Sequence, residues 1–226
     1  MRFTFYGHAC FGIEIGEHTL LFDPFIRPNE QGADVDVDAI EASHILVTHG
    51  HFDHVADAVE IAKRTGAQVI GNFEVISWFE KQGIENVHPM NHGGTWSFPF
   101  GTVRYTHAVH SSVLPDGTDG GNPGGFLITT DEGTIYVAGD TALTMDMKLI
   151  PQWSRPDVAI LPVGDNFTMG VSDAILAADF VQCDRVIGVH FDTFGFIEID
   201  HDAATSEFRR HGKDLTLPSI GQTIEL

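Results

Sequence analysis

The chain has 226 residues, with 32 acidic side chains against 12 basic ones and a formal net charge of −20. Apolar residues make up 42% of the sequence, which is ordinary for a globular protein and excludes an intrinsically disordered chain. The largest basic cluster is only Arg209-Arg210. A chain this acidic repels nucleic acid, so we expect no nucleic-acid partner.

The sequence also argues against secretion and membrane insertion. The first residues lack the basic start, apolar run and cleavage site of a signal peptide. No apolar run approaches the roughly 18 residues of a membrane span. Cys10 and Cys183 have no CxxC spacing and are expected to be buried free thiols in a reducing compartment. We therefore expect a cytoplasmic protein with no membrane partner.

The first half of the chain alternates strand-like and helix-like segments. Alternating or continuous apolar runs predict strands, and helical spacing of apolar residues predicts helices. The strands span residues 2–6, 10–15, 19–23, 44–48 and 67–71, and the helices span 55–66 and 73–83. Gly66 and Gly83 are placed to end the two helices. Such alternation predicts α/β layers instead of a helical bundle or a β-sandwich.

The middle of the chain has a different character. Strand-like segments follow one another with only turns between them, which predicts antiparallel pairing, with Asp131, Glu132 and Gly133 as a hairpin turn. These strands span residues 95–100, 102–110, 125–130 and 134–139. The Gly-rich loop over residues 111–125 is expected to be mobile, and its part from 117 to 125 is a candidate lid.

The last third returns to alternation of strands and helices. Strands are predicted over 157–163, 185–190, 215–219 and 222–226, and helices over 172–181 and 203–211. No linker-like or low-complexity segment divides the chain. We therefore expect a single domain over residues 1–226, with two similar halves in which strands precede helices.

Polar side chains are concentrated in the segment VTHGHFDHVADAV, directly after the buried strand 44–48. They are His49, His51, Asp53 and His54, at the kind of strand end where α/β proteins build sites. Imidazole and carboxylate suit zinc, and also manganese, iron or nickel. Asp53 by itself also fits the N-cap of the next helix. Together the four exceed what one tetrahedral ion requires, which predicts two ions with a bridging oxygen and further ligands from other strand ends.

Three later strand ends offer those further ligands. His107 and His110 lie three residues apart in a predicted strand, so their side chains face opposite sides and only one can reach the site. We choose His110, at the strand end, and interpret His107 as structural. Asp140 and His190 each follow a predicted strand. Asp140 alone would be an ordinary turn residue, but a histidine or aspartate at every one of these strand ends indicates a shared metal site.

The segment THGHFDH resembles the HxHxDH motif of the metallo-β-lactamase superfamily, and His110, Asp140 and His190 match the remaining ligands of that family in order. The segments YGHACF, LLFDPF, HSS, GNPGGFLI, AGDT and PVGDNFTMG are similar to its ascorbate-6-phosphate-lactonase-like branch of metal-dependent hydrolases. The resemblance extends over essentially the whole chain. It implies an α/β fold in the form of a four-layer αββα sandwich, with two central sheets and helices outside.

The resemblance also implies how the ligands divide between two divalent ions, with zinc the first choice and manganese, nickel or iron as alternatives. One ion would be held by His49, His51 and His110, the second by Asp53, His54 and His190, and both by Asp140. A metal-bridged hydroxide, available because the ions lower the pKa of water to about 7, would attack a small ester, lactone or phosphodiester. Asp53 would carry a proton to the leaving group.

Other residues are candidates for supporting roles. Asp23 ends a strand and is expected to accept an N–H from a ligand histidine, unless it is only a turn residue before Pro24. His8 is a candidate for lining the pocket or donating a proton, and Asp165 for contacting substrate or a ligand. A purely structural role is the alternative for both. Arg27 lies four residues after Asp23 and is the candidate for binding an anionic substrate group, with an ordinary surface role as the alternative.

The leading functional hypothesis is a binuclear metal-dependent hydrolase with a small-molecule substrate. An RNA-processing nuclease shares the core motif, but the acidic composition and the missing basic insertion argue against it. A non-catalytic metal-binding or sensor protein is the alternative from another class, and the complete ligand set argues against it. An oxygen-reducing diiron protein would need a fused flavin domain or more carboxylate ligands. The sequence allows a homo-oligomer and leaves the metal and the substrate open.

Overall fold

A computed structural model describes residues 1–226 and divides into two compact units. Unit 1 comprises Met1–His92, Ser111–Pro123 and Ser219–Leu226, and unit 2 comprises Gly93–His110 and Gly124–Pro218. Each unit is built on one seven-stranded sheet. None of the helices combines the length and the apolar character that a membrane crossing demands.

The sheet of unit 1 combines antiparallel and parallel pairing. Its strands are β1 Arg2–Gly7, β2 Cys10–Ile15, β3 His18–Phe22, β4 His44–Leu46, β5 Gln68–Asn72, β6 Val87–Met90 and β14 Thr223–Glu225. The spatial order is β14-β1-β2-β3-β4-β5-β6. Short turns make β1, β2 and β3 antiparallel, whereas the longer connections from β3 to β6 make these strands parallel. The carboxyl ends of β3, β4 and β5 therefore lie at the same edge of the sheet.

Unit 1 also contains the helices α1 Phe52–Val55, α2 Ala58–Thr65 and α3 Phe73–Lys81. As expected from the sequence, α2 ends at Gly66, whose left-handed backbone (φ 72°) lets its N–H donate to the carbonyl of Ala62. Helix α3 begins after Asn72, whose side-chain oxygen accepts the N–H of Val75 at 2.8 Å. The predicted closure at Gly83 is confirmed, because Gln82 is the C-cap of α3 and Gly83 follows it with a left-handed backbone (φ 85°).

The sheet of unit 2 has the same mixed character. Its strands are β7 Thr95–Phe98, β8 Gly101–His107, β9 Gly124–Thr130, β10 Gly133–Val137, β11 Val158–Pro162, β12 Arg185–Val189 and β13 Asp214–Thr216. They lie in the order β13-β12-β11-β10-β9-β8-β7, antiparallel from β7 to β10 and parallel from β10 to β13. The carboxyl ends of β10, β11 and β12 therefore share one edge, as the corresponding strand ends of unit 1 do.

The helices of unit 2 are α4 Ile150–Trp153, α5 Val171–Val181 and α6 His201–Arg210. Helix α6 starts two residues before the predicted 203, because the Asp200 side chain caps it by accepting the N–H of Ala203 at 2.9 Å. Large aromatic side chains are fully buried in each unit, Phe11 and Phe22 in unit 1 and Tyr136 and Phe208 in unit 2. Burial of one such side chain stabilises the folded chain by roughly 1.5–3 kcal/mol.

Both cysteines are buried free thiols, as the sequence led us to expect. Burial raises the pKa of Cys10 and of Cys183 above that of an ordinary thiol. Neither side chain is therefore a reactive thiolate near neutral pH.

The predicted strand 102–110 is too long at its carboxyl end. Strand β8 stops at His107, where its last pairing with β9 is made. Beyond that point the backbone of Val109 turns to the segment after β10, because its N–H donates to the Thr141 hydroxyl and its carbonyl accepts from Ala142, both at 3.0 Å. His110 consequently lies outside the strand, and the alternation of side chains within a strand does not decide between it and His107.

The predicted helix 55–66 is divided into α1 and α2 at Asp57. The Asp57 carboxylate accepts the backbone N–H of Ile26 at 2.6 Å and of Arg27 at 3.1 Å, and the Asp57 N–H donates to Pro24. These bonds to the segment after β3 compete with continuous helical bonding. Strand β6 and helix α4 are short elements that the apolar pattern did not predict.

The Gly-rich segment 111–125 is attached to its surroundings in unit 1. The Asn72 amide donates to the carbonyls of Gly120 at 2.7 Å and Asn122 at 3.0 Å. The indole N–H of Trp78 donates to the Asp116 carboxylate at 3.0 Å. These contacts hold the segment to the end of β5 and to α3, contrary to the expectation of a mobile loop.

Candidate metal centre

Two of the histidines after β4 present their ring nitrogens to one point. His49 is fully buried, and its Nε2 lies 2.9 Å from Nδ1 of the half-buried His51. Nitrogens that bind one ion at about 2.1 Å lie roughly 3.0–3.4 Å apart, so this spacing is close to that of two ligands of a single ion. Gly50 lets the turn run close to Leu114, because a Cβ at this position would lie 2.9 Å from the Leu114 side chain.

Asp23, directly after β3, orients two histidines. Its Oδ2 lies 2.9 Å from His54 Nδ1 and accepts the Thr48 hydroxyl at 2.7 Å, and its Oδ1 accepts the Thr48 N–H at 2.8 Å. Since Thr48 donates its hydroxyl proton to Asp23, its oxygen accepts from His49 Nδ1 at 3.0 Å. This network assigns the Nδ1–H tautomer to His49 and His54 and leaves a lone pair on each Nε2. Metal-binding histidines are oriented by carboxylates in this way.

Burial dominates the electrostatics of Asp23. Its side chain is almost completely buried, and this burial raises the pKa of the carboxyl above its ordinary value, although the hydrogen bonds from His54 and Thr48 act in the opposite direction. Burying an ionised carboxylate here without those hydrogen-bond donors would lower the stability of the folded protein. The network is therefore a specific arrangement that the protein maintains at a cost in electrostatic energy.

A second group of donors surrounds Asp53. Its Oδ2 lies 3.0 Å from His8 Nε2 and 3.8 Å from His54 Nε2. One ligand atom from each of these residues lies within 4.8 Å of the other two. Asp53 is in the first turn of α1, and the N-cap is His51, so the capping alternative for Asp53 does not hold.

Four of the predicted site residues adopt a left-handed backbone that is uncommon outside glycine. They are His8 (φ 55°), Asp23 (φ 42°), Asp165 (φ 63°) and His190 (φ 57°). Such a backbone costs of order 1–3 kcal/mol per residue and persists where the surrounding contacts impose it, often at functional sites. His8, Asp23 and His190 each come directly after a strand, whereas Asp165 lies three residues after the end of β11.

Unit 2 brings three predicted ligands together at the edge of its sheet. The buried carboxylate of Asp140, after β10, has its Oδ2 at 3.0 Å from His190 Nε2 and at 3.6 Å from His110 Nε2. His190 follows β12 and is also buried. Gly164, after β11, permits this arrangement, because a Cβ there would lie 2.1 Å from the His190 carbonyl oxygen.

His107 is not part of that group. Its side chain is 44% exposed, and Nδ1 lies 3.0 Å from the Asp146 carboxylate. It is therefore a surface histidine in an ion pair and not a buried structural one.

Arg27 and Asp165, the candidates for contacting substrate, have different surroundings. The Arg27 guanidinium is paired with the carboxylates of Glu60 and Asp38, so the expectation that it binds an anionic substrate group is not supported. Asp165 is exposed and lines a cavity of about 770 Å³ in unit 2, and its Oδ1 accepts the N–H of Asn166 at 2.8 Å.

Two contributing residues were not found from the sequence. Thr48 connects Asp23 to His49, and Ser111 has its hydroxyl 3.3 Å from His51 Nε2. Thr48 directly precedes the first ligand, and Ser111 directly follows His110. Adjacency to ligands was the only available signal, because the contacts depend on side-chain directions that the spacing does not specify.

The residues of both units fit divalent metal ions. All donors are imidazole nitrogens or carboxylate oxygens, the ligand types of zinc, manganese, iron and nickel. In unit 1 two histidines have lone pairs on Nε2 that are held in place by the Asp23 network, and in unit 2 a buried carboxylate is flanked by two imidazoles. Buried histidine and aspartate in this density are costly to maintain without a bound cation.

Comparisons with known proteins agree with this donor set. A family model described as "Beta-lactamase superfamily domain" matches residues 2–190. A "UPF0173 metal-dependent hydrolase" of Christiangramia forsetii is 55% identical over 227 residues, covering all of both chains. The "UPF0173 metal-dependent hydrolase YtkL" of Bacillus subtilis is 42% identical over 231 residues, again covering all of both chains.

Solved structures show the same fold. Igni18, described as a novel metallo hydrolase from the archaeon Ignicoccus hospitalis, superposes with a TM-score of 0.90 at 28% identity, covering 99% of this chain and 97% of that one. An isothiocyanate hydrolase from Delia radicum gut bacteria superposes with a TM-score of 0.80 at 21% identity, covering 100% and 99%. The second likeness concerns the fold alone.

The fold and the metal-type donors define a metal-dependent hydrolase of the metallo-β-lactamase superfamily. Within that superfamily, the chain belongs to the family of UPF0173 metal-dependent hydrolases. The predicted α/β metallo-β-lactamase fold and the resemblance to this group of hydrolases are thereby confirmed.

Proposed function

We propose that the protein is a binuclear metal-dependent hydrolase of a small ester, lactone or phosphodiester. The observation that carries the proposal is the hydrogen-bond network of Asp23, which bonds directly to His54 and through the Thr48 hydroxyl to His49. This network leaves a lone pair on Nε2 of both histidines. Orientation of two imidazoles by one buried carboxylate has little structural purpose unless both bind a cation.

The proposal assigns seven candidate ligands to two ions. The first ion would be held by His49, His51 and His110, the second by Asp53, His54 and His190, and both by Asp140. When bound, the ions would supply Lewis acidity for the attacked carbonyl or phosphoryl oxygen and would make water acidic enough to react near neutral pH. The donor chemistry supports this assignment. Asp140 lies between the imidazoles of His110 and His190, and these three residues alone do not supply the four ligands that an ion requires.

In this proposal, Asp53 and His8 would move a proton. Asp53 Oδ2 is 3.0 Å from His8 Nε2, a distance over which a proton can pass directly. Asp53 would take the proton that water loses on attack and would deliver it to the leaving oxygen. His8, buried beside it, would hold the carboxylate in position and share that proton.

The experiment that tests the proposal compares metal-loaded and chelator-stripped protein on a substrate panel. The panel contains a carboxylic ester, two lactones, a phosphodiester, a phosphomonoester and a thioester. The proposal expects turnover that depends on added metal and is confined to the ester, lactone or phosphodiester substrates. Metal bound without any turnover would favour a metal-binding or sensor protein, and cleavage of single-stranded RNA at a higher kcat/KM than any small substrate would favour a nuclease.

A further inference from the structure

Phe52 stands in the middle of the metal motif with most of its ring accessible. It is 54% exposed and lies in the first turn of α1, between the candidate ligands His51 and Asp53. A large aromatic side chain at such a position loses favourable burial unless something covers it. Exposed apolar groups beside polar, functional residues are typical of ligand sites.

A series of aromatic contacts connects the exposed Phe52 ring with buried residues of unit 1. Phe52 meets Phe25 in a T-shaped contact with ring centroids 5.9 Å apart, and Phe25 meets His8 in another at 5.5 Å. His8 in turn bonds to Asp53. We call His8, Phe25 and Phe52 the aromatic strip. It connects the candidate proton-transfer pair with the surface of unit 1, and its buried members fix the outer ring in position.

The segments that carry the ligands offer no cationic side chain to bind an anionic substrate. The ligands all lie within residues 28–62, 105–147 and 186–208, and these three segments contain no lysine or arginine. Arg27, just outside the first segment, is already paired with Glu60 and Asp38. The net charge of −20 adds long-range repulsion. A neutral substrate avoids these costs and must be recognised mainly by apolar contact.

We propose that Phe52 packs against the apolar group of the substrate, which is a neutral carboxylic ester or lactone with an alkyl or aryl substituent. Hydrolysis of an ester breaks the acyl C–O bond and adds the elements of water, giving a carboxylic acid and an alcohol. Hydrolysis of a lactone opens the ring in the same way and gives one hydroxy acid. The inference rests on the proposed function, because it specifies the substrate class of that same site. Phe52 is then a specificity-determining residue and takes no part in the proton transfers.

The expected effect follows from the area that one exposed ring can cover. A closed apolar pocket discriminates a single methylene by about tenfold or more. One ring face covers only one side of a chain, so we expect about twofold per methylene. Over the four methylenes that separate an acetate from a hexanoate ester, this amounts to roughly tenfold to twentyfold in kcat/KM.

The test measures kcat/KM of the metal-loaded protein for p-nitrophenyl acetate, p-nitrophenyl hexanoate and bis(p-nitrophenyl) phosphate. The wild type should prefer hexanoate over acetate by about tenfold and should prefer both esters over the phosphodiester. Phe52→Ala should lower the hexanoate-to-acetate ratio to about one or two, mainly through a higher KM for hexanoate. Phe52→Leu should recover most of the ratio, since leucine restores apolar area without the ring.

Trp96→Ala is the matched control. Trp96 is 55% exposed and lies on β7, the outermost strand of its sheet and three strands from β10, after which Asp140 is found. Its replacement should leave the ratio at the wild-type value. The metal content of every variant is measured alongside, so that loss of an ion is not mistaken for loss of apolar contact.

The outcomes separate this inference from the proposed function. If the metal-loaded protein hydrolyses the esters but Phe52→Ala keeps the wild-type ratio, or if the phosphodiester is preferred, the inference is overturned and the proposed function survives. If no ester, lactone or phosphodiester is hydrolysed by protein that binds metal, both are overturned. A drop in the ratio in Trp96→Ala equal to that in Phe52→Ala would also contradict a specific role for Phe52.

Discussion

Replacing Asp23 by asparagine should weaken metal binding while keeping the fold. The carboxylate accepts two hydrogen bonds from Thr48 and one from His54, and an amide has only one oxygen for them. The NH₂ group of the amide replaces one carboxylate oxygen, so it faces a group that itself donates a proton. His54 Nδ1–H then has no acceptor, and nothing holds the lone pair of His54 on Nε2. Loss of such a partner lowers metal affinity roughly 10- to 100-fold, which is about 1.4–2.7 kcal/mol. One buried donor left without an acceptor lowers the free energy of unfolding by about 1–3 kcal/mol.

Competition with a chromophoric chelator measures the metal Kd, and urea unfolding of the metal-free protein measures stability. Asp57→Asn is the matched control, because Asp57 is also buried and accepts two hydrogen bonds, but from the backbone of Ile26 and Arg27. It should keep an unchanged metal Kd and lose less stability than Asp23→Asn, because both of its hydrogen bonds go to Oδ2 and the one oxygen of the amide can still accept them. A wild-type metal Kd in Asp23→Asn would refute the reasoning, as would an equal loss of affinity in both variants.

Other changes give equally definite expectations. Asp140→Ala should lower metal content and activity together, and full activity would contradict its bridging role. His107→Ala should keep the metal stoichiometry and lower the free energy of unfolding by at most about 1 kcal/mol, since exposed ion pairs contribute little; an ion missing in metal analysis would reverse the ligand assignment. Arg27→Ala should leave KM unchanged in steady-state assays, because its guanidinium is paired within unit 1; a tenfold rise in KM would restore it as a substrate contact. Burial lowers the pKa of His44 from 6.5 to about 4, so only the unfolded chain binds this proton between these pH values and stability is lost as the pH falls through them. In metal-free His44→Gln, the free energy of unfolding measured in urea should fall by about 3 kcal/mol less between pH 6.5 and 4 than it does in the wild type. An unchanged pH dependence would exclude this cause.

Elements with strong local signals were predicted well. The first three strands and α5 agree with the structure to within one residue at each end, because apolar alternation and helical spacing report the buried face directly. The division of the helix at Asp57 was not predictable, since it depends on bonds to Ile26 and Arg27, some 30 residues away. The early end of β8 has the same kind of cause, because Val109 bonds to Thr141 beyond the hairpin.

The donor residues of the site were accessible from sequence for a chemical reason. Histidine and aspartate at successive strand ends are conspicuous, and parallel strands bring those ends to one edge of a sheet. The roles of Thr48 and Ser111 were not accessible, because a hydroxyl next to a ligand is common and only the side-chain direction makes it a partner of an imidazole. The ion pairs of Arg27 were not accessible either, because its carboxylate partners, Glu60 and Asp38, lie 33 and 11 residues away in the chain.

Titration of metal-free protein with zinc or manganese, while ester hydrolysis and bound metal are measured in the same samples, tests the central claim most directly. The proposed binuclear centre predicts that activity rises with added metal and reaches its plateau only when two ions are bound per chain. Full activity at one ion per chain, or hydrolysis by the chelator-stripped protein at the metal-loaded rate, would contradict it.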